Sequence, residues 1–192
     1  MALLRLITHA HTLVDPVSDA TQWRLSTAGQ SQAEALALLP FWAGIDRILV
    51  SSEVKTHLTV APILATLQIP VSVDGRFDEV VRPSWVDEYG AHVKAFFAEP
   101  ERSVGGWEPA THALQRFLAG LAAQGVPGSN EQVALVSHGL VLSLYRAHLT
   151  GKWPPDFEAW RQLGFGSVAL VDLRSLTLVE EFTPVVSSPL RG

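Results

Sequence analysis

The sequence predicts an α/β protein, a three-layer α/β/α sandwich around a mostly parallel central sheet. Short apolar runs bounded by turn residues alternate with stretches of helical periodicity, the pattern of strand–helix–strand units. Two of those runs, Leu3 to Thr8 and Val133 to Ser137, are apolar enough to be buried on both faces, as central parallel strands are. Each gives way abruptly to polar residues and a histidine, His9 in one case and His138 in the other. If both strands belong to one parallel sheet, the two imidazoles emerge at the same carboxyl edge, where open α/β sheets bind ligands.

The remaining elements follow in order. After a polar, Pro-containing loop over residues 13–25, Ser26 or Thr27 caps a helix running to about Leu39, with Ala28, Ala33, Leu36 and Leu39 as its inner stripe. Pro40 ends it. Asp46 to Val50 reads as a second buried strand, and Ser51-Ser52-Glu53 as the cap of a helix that begins near Val54. That helix carries Leu58, Ala61 and Leu64 inward and is expected to kink or restart at Pro62. Pro70 to Val73 is a third strand, and Asp74-Gly75 turns the chain into Arg76-Phe77-Asp78-Glu79.

Residues 80–107 are the least regular stretch, with Trp85, Tyr89, Phe96, Phe97 and Trp107 and a short amphipathic helix around Val86 to Ala98. Such an aromatic-bearing excursion is expected to form a flap over the sheet edge. Glu108-Pro109 opens a helix with Ala113, Leu114, Phe117 and Leu121 on one face, and Gly125 to Ser129 is its exit turn. The helix Leu140 to Leu149 follows His138. A loop then holds Trp153 and Trp160, a final hairpin spans Ser167 to Phe182, and residues 183–192 read as a tail. No composition break divides the 192 residues, so one domain is expected over 1–192.

Composition narrows the function. Apolar residues make up 47% and charged residues 17%, as in a soluble globular chain. Fourteen Lys and Arg against nineteen Asp and Glu leave a net charge of −5, with no basic run, so neither nucleic acid nor an anionic membrane is an expected partner. No apolar run approaches the roughly 20 residues that span a bilayer. The absence of cysteine excludes disulfides, thiolate metal sites and a cysteine nucleophile. The N-terminus lacks a basic region followed by a long apolar core, so no signal peptide is expected, and the expected location is cytoplasmic.

Four strand ends carry candidate groups: Thr8 to Thr12, Ser51 to Lys55, Arg76 to Glu79, and Ser137 to Gly139. Helix N-termini beside two of them supply backbone N–H groups to the same crevice. Histidines, a lysine, a carboxyl group and such N–H groups suit phosphoryl transfer. One imidazole attacks phosphorus, cations and N–H groups hold the oxygens, and the acid protonates the leaving group.

With these residues in place, the sequence resembles the histidine phosphatase superfamily, the phosphoglycerate-mutase-like proteins, whose signature at the first strand end is Arg-His-Gly. Thr8-His9-Ala10 is the match, with His11-Thr12 where Glu-Thr is common. Leu25-Ser26 with Gly29 and Gln32-Ala33, Ser51 to Thr59, and Phe77-Asp78-Glu79 match further segments. So do Gly106-Trp107-Glu108 with Arg116, and Val136-Ser137-His138-Gly139. The resemblance covers residues 3–172 in the right order. It implies a metal-independent phosphohydrolase, without a cofactor, acting on a small phosphomonoester through a phosphohistidine. His9 would be the nucleophile, Glu79 the proton donor and His138 a holder of phosphoryl oxygens. Thr8, Lys55 and Gly139 would border the phosphate, and His11, Thr12 and Ser51 would stand behind them.

Two departures bear on that implication. The family's arginine before the nucleophile is Thr8 here, and its second arginine aligns with Lys55. A guanidinium offers phosphate a bidentate fork, an ammonium only a point charge, and a threonine one neutral hydroxyl. Arg5, Arg76, Arg82 and His11 are the cations available to compensate. A second reading is therefore a weak or inactive relative that binds a phosphorylated ligand, inorganic phosphate or a protein partner. A third is a metal hydrolase built from His9, His11 and His138 with Asp15 or Glu79. His57, His92, His112 and His148 read as surface residues of helices, and the tryptophans as core and flap packing.

Overall fold

The computed structural model describes residues 2–186. Strands β1 (Leu3–Thr8), β2 (Arg47–Val50), β3 (Val71–Val73), β4 (Gln132–Ser137), β5 (Ser167–Asp172) and β6 (Thr177–Pro184) form one sheet in the order β3-β2-β4-β1-β5-β6. The first four in that order are parallel, and β5 pairs antiparallel with both β1 and β6. The sheet is thus mostly parallel, with the expected hairpin as its antiparallel border. The helices are α1 (Thr27–Ala37), α2 (Val54–Leu64), α3 (Tyr89–Ala98), α4 (Ala110–Ala123), α5 (Gly139–Thr150) and α6 (Phe157–Gln162).

Alternation along the central strands divides the core into two layers. Leu4 and Leu6 of β1, Leu49 of β2, and Val133 and Leu135 of β4 pack with Phe96, Phe117, Leu121, Leu144 and Trp160 of α3 to α6. Ile7, Ile48, Val50, Ala134 and Val136 point the other way, onto Leu36 of α1 and Val60 and Ile63 of α2. Arg5, the one charge in β1, keeps its guanidinium 4.6 Å over the Phe41 ring and donates to Gln132 Oε1 at 3.2 Å.

Several local expectations are corrected. The α1 face that packs inward is Gly29, Gln32, Ala33 and Leu36, whereas Ala28 is exposed. A Cβ at Gly29 would collide with the His11 carbonyl, so the helix can approach the His11 backbone only with glycine there. The α2 helix passes through Pro62 without restarting. Pro62 lies in its last turn, where little helix remains to disrupt. Its buried residues are Lys55, Thr56, Thr59, Val60 and Ile63 instead of Leu58, Ala61 and Leu64, because half of this face meets polar strand ends rather than hydrocarbon. Thr59 Oγ1 accepts from the Ala10 N–H at 3.0 Å and donates to the Lys55 carbonyl at 2.7 Å.

In the irregular stretch, α3 begins at Tyr89, three residues later than expected, and sends Val93, Phe96 and Phe97 into the core beside Trp107. The segment holding Trp153 and Trp160 is not all loop. It contains α6, whose N-cap Asp156 accepts from the Ala159 N–H at 2.6 Å. Of the expected tail, Thr183 and Pro184 pair with Val168 and Ser167 as the end of β6, and residues 187–192 lie outside the described residues.

Candidate active site

Register brings the two histidines together. In the parallel β1–β4 ladder Ile7 stands opposite Val136 and Thr8 opposite Ser137, so the next residues, His9 and His138, are neighbours at the carboxyl edge. The His9 N–H continues the ladder to the Ser137 carbonyl at 2.9 Å. The ring centroids are 5.2 Å apart, tilted by 58°. Both residues are nearly buried, His9 at 6% and His138 at 1% exposure, which keeps bulk water from screening what happens between them. His9 Nδ1–H donates to the Ala10 carbonyl at 2.8 Å, and because a carbonyl only accepts, this tautomer carries its lone pair on Nε2.

Strand β2 ends level with the pair, its Ser51 N–H bonded to the Val136 carbonyl at 3.3 Å. Ser51 Oγ lies 2.8 Å from His138 Nε2 and 3.0 Å from Thr56 Oγ1. Next to it stands Glu53, buried at 4% exposure. Its Oε1 is 3.5 Å from His138 Nε2 and accepts from the Glu79 N–H at 2.8 Å, while its Oε2 pairs with the Lys55 ammonium, equally buried. Such a dry ion pair is held by its geometry and its further hydrogen bonds, since desolvation otherwise outweighs the Coulomb gain.

The Glu79 carboxylate sits on the N-terminus of α5. It accepts from the Leu140 and Val141 N–H groups at 3.1 and 3.2 Å, and from its neighbour Val80 at 3.0 Å. Gly139 opens the same helix directly after His138, so its N–H belongs to the first turn, which has no intrahelical acceptor. Arg116 of α4 holds the backbone around Glu79. It donates to the Arg76, Asp78 and Glu79 carbonyls at 2.9, 3.1 and 3.2 Å and forms a forked pair with Glu108 at 3.0 and 2.8 Å. That fork leaves Glu108 a partner of the scaffold. Burial pushes the Asp78 carboxyl up, against the pull of its Ser52 hydrogen bonds.

The other sequence candidates lie differently. The Thr8 hydroxyl is wholly buried. It donates to the Gly164 carbonyl at 2.8 Å and accepts from the Ser167 N–H at 2.9 Å, which ties the end of β1 to the start of β5. His11 Nδ1 is 2.8 Å from Ser26 Oγ, the cap of α1, and its ring meets Phe165 edge-on at 5.0 Å. Thr12 is buried and bridges to Leu25. Among the described residues no three His, Cys, Asp or Glu side chains form a group able to hold a metal, so the set of His9, His11 and His138 with Asp15 or Glu79 is not assembled.

A cavity of about 560 Å³ opens beside Glu53, Asp78 and Glu79 and is otherwise lined from the segments 16–23 and 80–89, by residues 16–21, Trp23, 80–86 and Tyr89. The Trp23 and Trp85 rings, 6.0 Å apart, join those two segments. Of the four cations offered by the sequence, Arg5 lies on Phe41, Arg76 is paired with Asp74 at 2.6 Å, and His11 is engaged with Ser26. Only Arg82 lines the cavity. Burial alone would lower its pKa, but the facing Tyr89, Glu79 and Glu53 raise it above the ordinary value. Glu53 is the residue at these strand ends that sequence reasoning missed, whereas Arg82 was one of the four cations it offered. Glu53 carried only the signal of a helix cap.

Fold and site together define a class: a three-layer α/β protein with two histidines side by side at the carboxyl edge of its parallel strands. The chain belongs to the histidine phosphatase superfamily (branch 1), whose family model matches residues 6–182. No curated protein matches the sequence significantly. Among solved structures, Bacillus stearothermophilus YhfR is 18% identical, with 96% of this chain and 98% of that one covered and a TM-score of 0.73. A mutant phosphoserine phosphatase from Entamoeba histolytica in complex with phosphoserine is 19% identical over 96% and 98%, with a TM-score of 0.71. The mycobacterial glucosyl-3-phosphoglycerate phosphatase Rv2419c with inorganic phosphate is 21% identical over 97% and 100%, with a TM-score of 0.69. At these identities the likeness is one of fold. No helix among the described residues is long and apolar enough to cross a membrane.

Proposed function

We propose that the protein is a metal-independent phosphohydrolase of small phosphomonoesters that works through a phosphohistidine on His9. The observation that carries this reading is the His9–His138 pair, 5.2 Å between centroids, with the His9 lone pair directed to Nε2 by the Nδ1–H bond to Ala10. Nε2 attacks phosphorus, the N–P bond forms as the P–O bond to the alcohol breaks, and Glu79 gives its proton to the departing oxygen. Water then attacks the phosphohistidine, Glu79 takes the water's proton, and inorganic phosphate leaves. His138, Lys55 and the Gly139 N–H hold the phosphoryl oxygens, with Ser51 setting the His138 ring and His11 and Thr12 behind the loop. To donate a proton, Glu79 exchanges one of its α5 N–H partners for the substrate oxygen. Solved relatives of this fold hold phosphate, phosphoserine or 3-phosphoglycerate, which supports a small phosphorylated ligand here.

Thr8, on this reading, pins β5 rather than touching the oxyanion. That same feature, with Lys55 already paired to Glu53, favours the second reading: a binding protein of low or no turnover in the same crevice. One experiment separates the two. The protein is mixed with a phosphomonoester, quenched in alkali and assayed for acid-labile phosphate on His9. The hydrolase reading expects a phosphorylated His9 and loss of turnover in His9→Ala. Turnover unchanged in His9→Ala overturns it, and ligand binding without phosphorylation selects the binding protein.

A further inference from the structure

Glu53 is the N-cap residue of α2, yet its side chain makes no capping hydrogen bond. An N-cap side chain ordinarily accepts from the second or third N–H of its helix, which the shorter Asp, Asn, Ser and Thr reach best. The longer Glu53 side chain reaches elsewhere and is buried at 4% exposure. Its Oε2 pairs with the Lys55 ammonium. Its Oε1 accepts from the Glu79 N–H at 2.8 Å and stands 3.5 Å from His138 Nε2. Lys55 and His138 are two of the three groups that the proposed reaction assigns to the phosphoryl oxygens. A carboxylate of the chain itself therefore holds the ammonium and faces the imidazole that an incoming oxyanion would use.

Glu53 also stands where a ligand would enter. Of the strand-end residues His9, Ser51, Glu53, Lys55 and His138, only Glu53 lines the 560 Å³ cavity. A ligand arriving through that cavity meets the Glu53 charge before it meets Lys55. Asp19, Asp78 and Glu79 share the wall with Arg82, so the mouth is acidic on balance and adds to the repulsion. Two anions cannot hold one ammonium in a dry site without strong mutual repulsion. We propose that Glu53 is an internal competitor of the phosphoryl group: its carboxylate closes the anion site by holding Lys55, and must release it before a phosphate is bound. This rests on the reading that places the phosphoryl group among His9, His138 and Lys55, and adds an autoinhibitory contact to it. The pair that stabilises the fold is thus the pair that lowers affinity. A closed form populated about 90–99% of the time reduces apparent affinity about 10- to 100-fold. The carboxylate that lets go of Lys55 has a place to settle, since the N-terminus of its own helix favours negative charge.

The test measures binding of inorganic phosphate, so it stands apart from turnover. Phosphate is titrated by calorimetry at neutral pH into the wild type, Glu53→Gln, Glu53→Asp, Lys55→Gln and the double variant of Glu53→Gln with Lys55→Gln. Glu53→Gln keeps the shape and an oxygen for the Glu79 N–H but carries no charge, and is expected to bind phosphate about 10- to 100-fold tighter than the wild type. Glu53→Asp draws the carboxylate back onto the helix end as a regular cap, and is expected to tighten binding severalfold. It answers the question even if Glu53→Gln does not fold. In the Lys55→Gln background the gain from Glu53→Gln is expected to fall below about 3-fold, because the contested ammonium is gone. Phosphate binding that is unchanged, weaker or undetectable in both Glu53 variants overturns the proposal. So does a gain that survives in full without Lys55, which would be plain repulsion across the site. Phosphorylation of His9 is scored separately. If it occurs while the Glu53 variants bind no tighter, the hydrolase reading stands and the competitor falls. If it does not occur while Glu53→Gln tightens phosphate, the hydrolase reading falls and the competitor stands in a binding protein.

Discussion

The strand-end cluster and the cavity beside it are built on opposite principles. One is the strand-end wall of His9, Ser51, Glu53, Lys55 and His138, buried and bonded throughout. The other is the wall of residues 16–23 and 80–89, where Val17, Val81 and Trp85 are exposed, Trp23 leans on Trp85, and Arg82 is stacked on Tyr89. Chemistry needs groups whose positions are settled before the ligand arrives, because reorganisation during the reaction costs rate. Selection needs donors and apolar surface that the ligand itself completes. On the proposed reading, the first carries the catalysis and the second the discrimination.

Four substitutions sharpen or break that contrast. Removing the proposed acid has the largest effect: Glu79→Gln is expected to lower kcat by about 10²- to 10⁴-fold on alkyl phosphates and by much less on p-nitrophenyl phosphate, whose leaving group needs no proton. Equal losses on both substrates would take the acid role from Glu79. Next comes the stability of the buried wall. Glu53→Ala leaves the Lys55 ammonium buried without its partner, and urea unfolding is expected to show a loss of about 3–5 kcal/mol. A loss below about 1 kcal/mol, the range of exposed pairs, would mean that Lys55 reaches solvent and the wall is not dry.

Thr8→Val removes one donor and one acceptor from a buried junction between β1 and β5, and about 1–3 kcal/mol of stability is expected to go with them. Thr8→Ser should recover most of it. If Thr8→Val instead unfolds like the wild type, the hydroxyl does not hold β5 and its place in a phosphate pocket reopens. The smallest effect belongs to the selective wall. Trp85 is 40% exposed, so Trp85→Ala is expected to change stability by about 0.5 kcal/mol or less while raising KM severalfold. A large stability loss there would make residues 80–89 part of the core rather than of the ligand's enclosure.

Much of this was legible beforehand where the signal is local. The apolar runs of β1 and β4, the Ser26 cap and the histidines that follow the strands each declare themselves within a few residues, and together they specify the layered fold and its paired imidazoles. The same local logic misplaced the buried face of α2. It assigned Leu58, Ala61 and Leu64 inward by hydrophobicity, but that face meets polar strand ends, which accept Thr56, Thr59 and Lys55. It also missed α6, because a six-residue helix shows little periodicity, although Asp156 before Phe157 was a usable cap signal.

By itself, then, the sequence determined the strands, their burial and the residues that close them, since those depend on short-range pattern and on the exclusion of apolar side chains from water. Only the tertiary structure decided which charges matter at the crevice. Glu53 became the hub joining Lys55, His138 and Glu79, and Arg82 rather than Arg5, Arg76 or His11 came to line the cavity. Charge acts through distance and burial in three dimensions, and neither can be read from spacing along a chain.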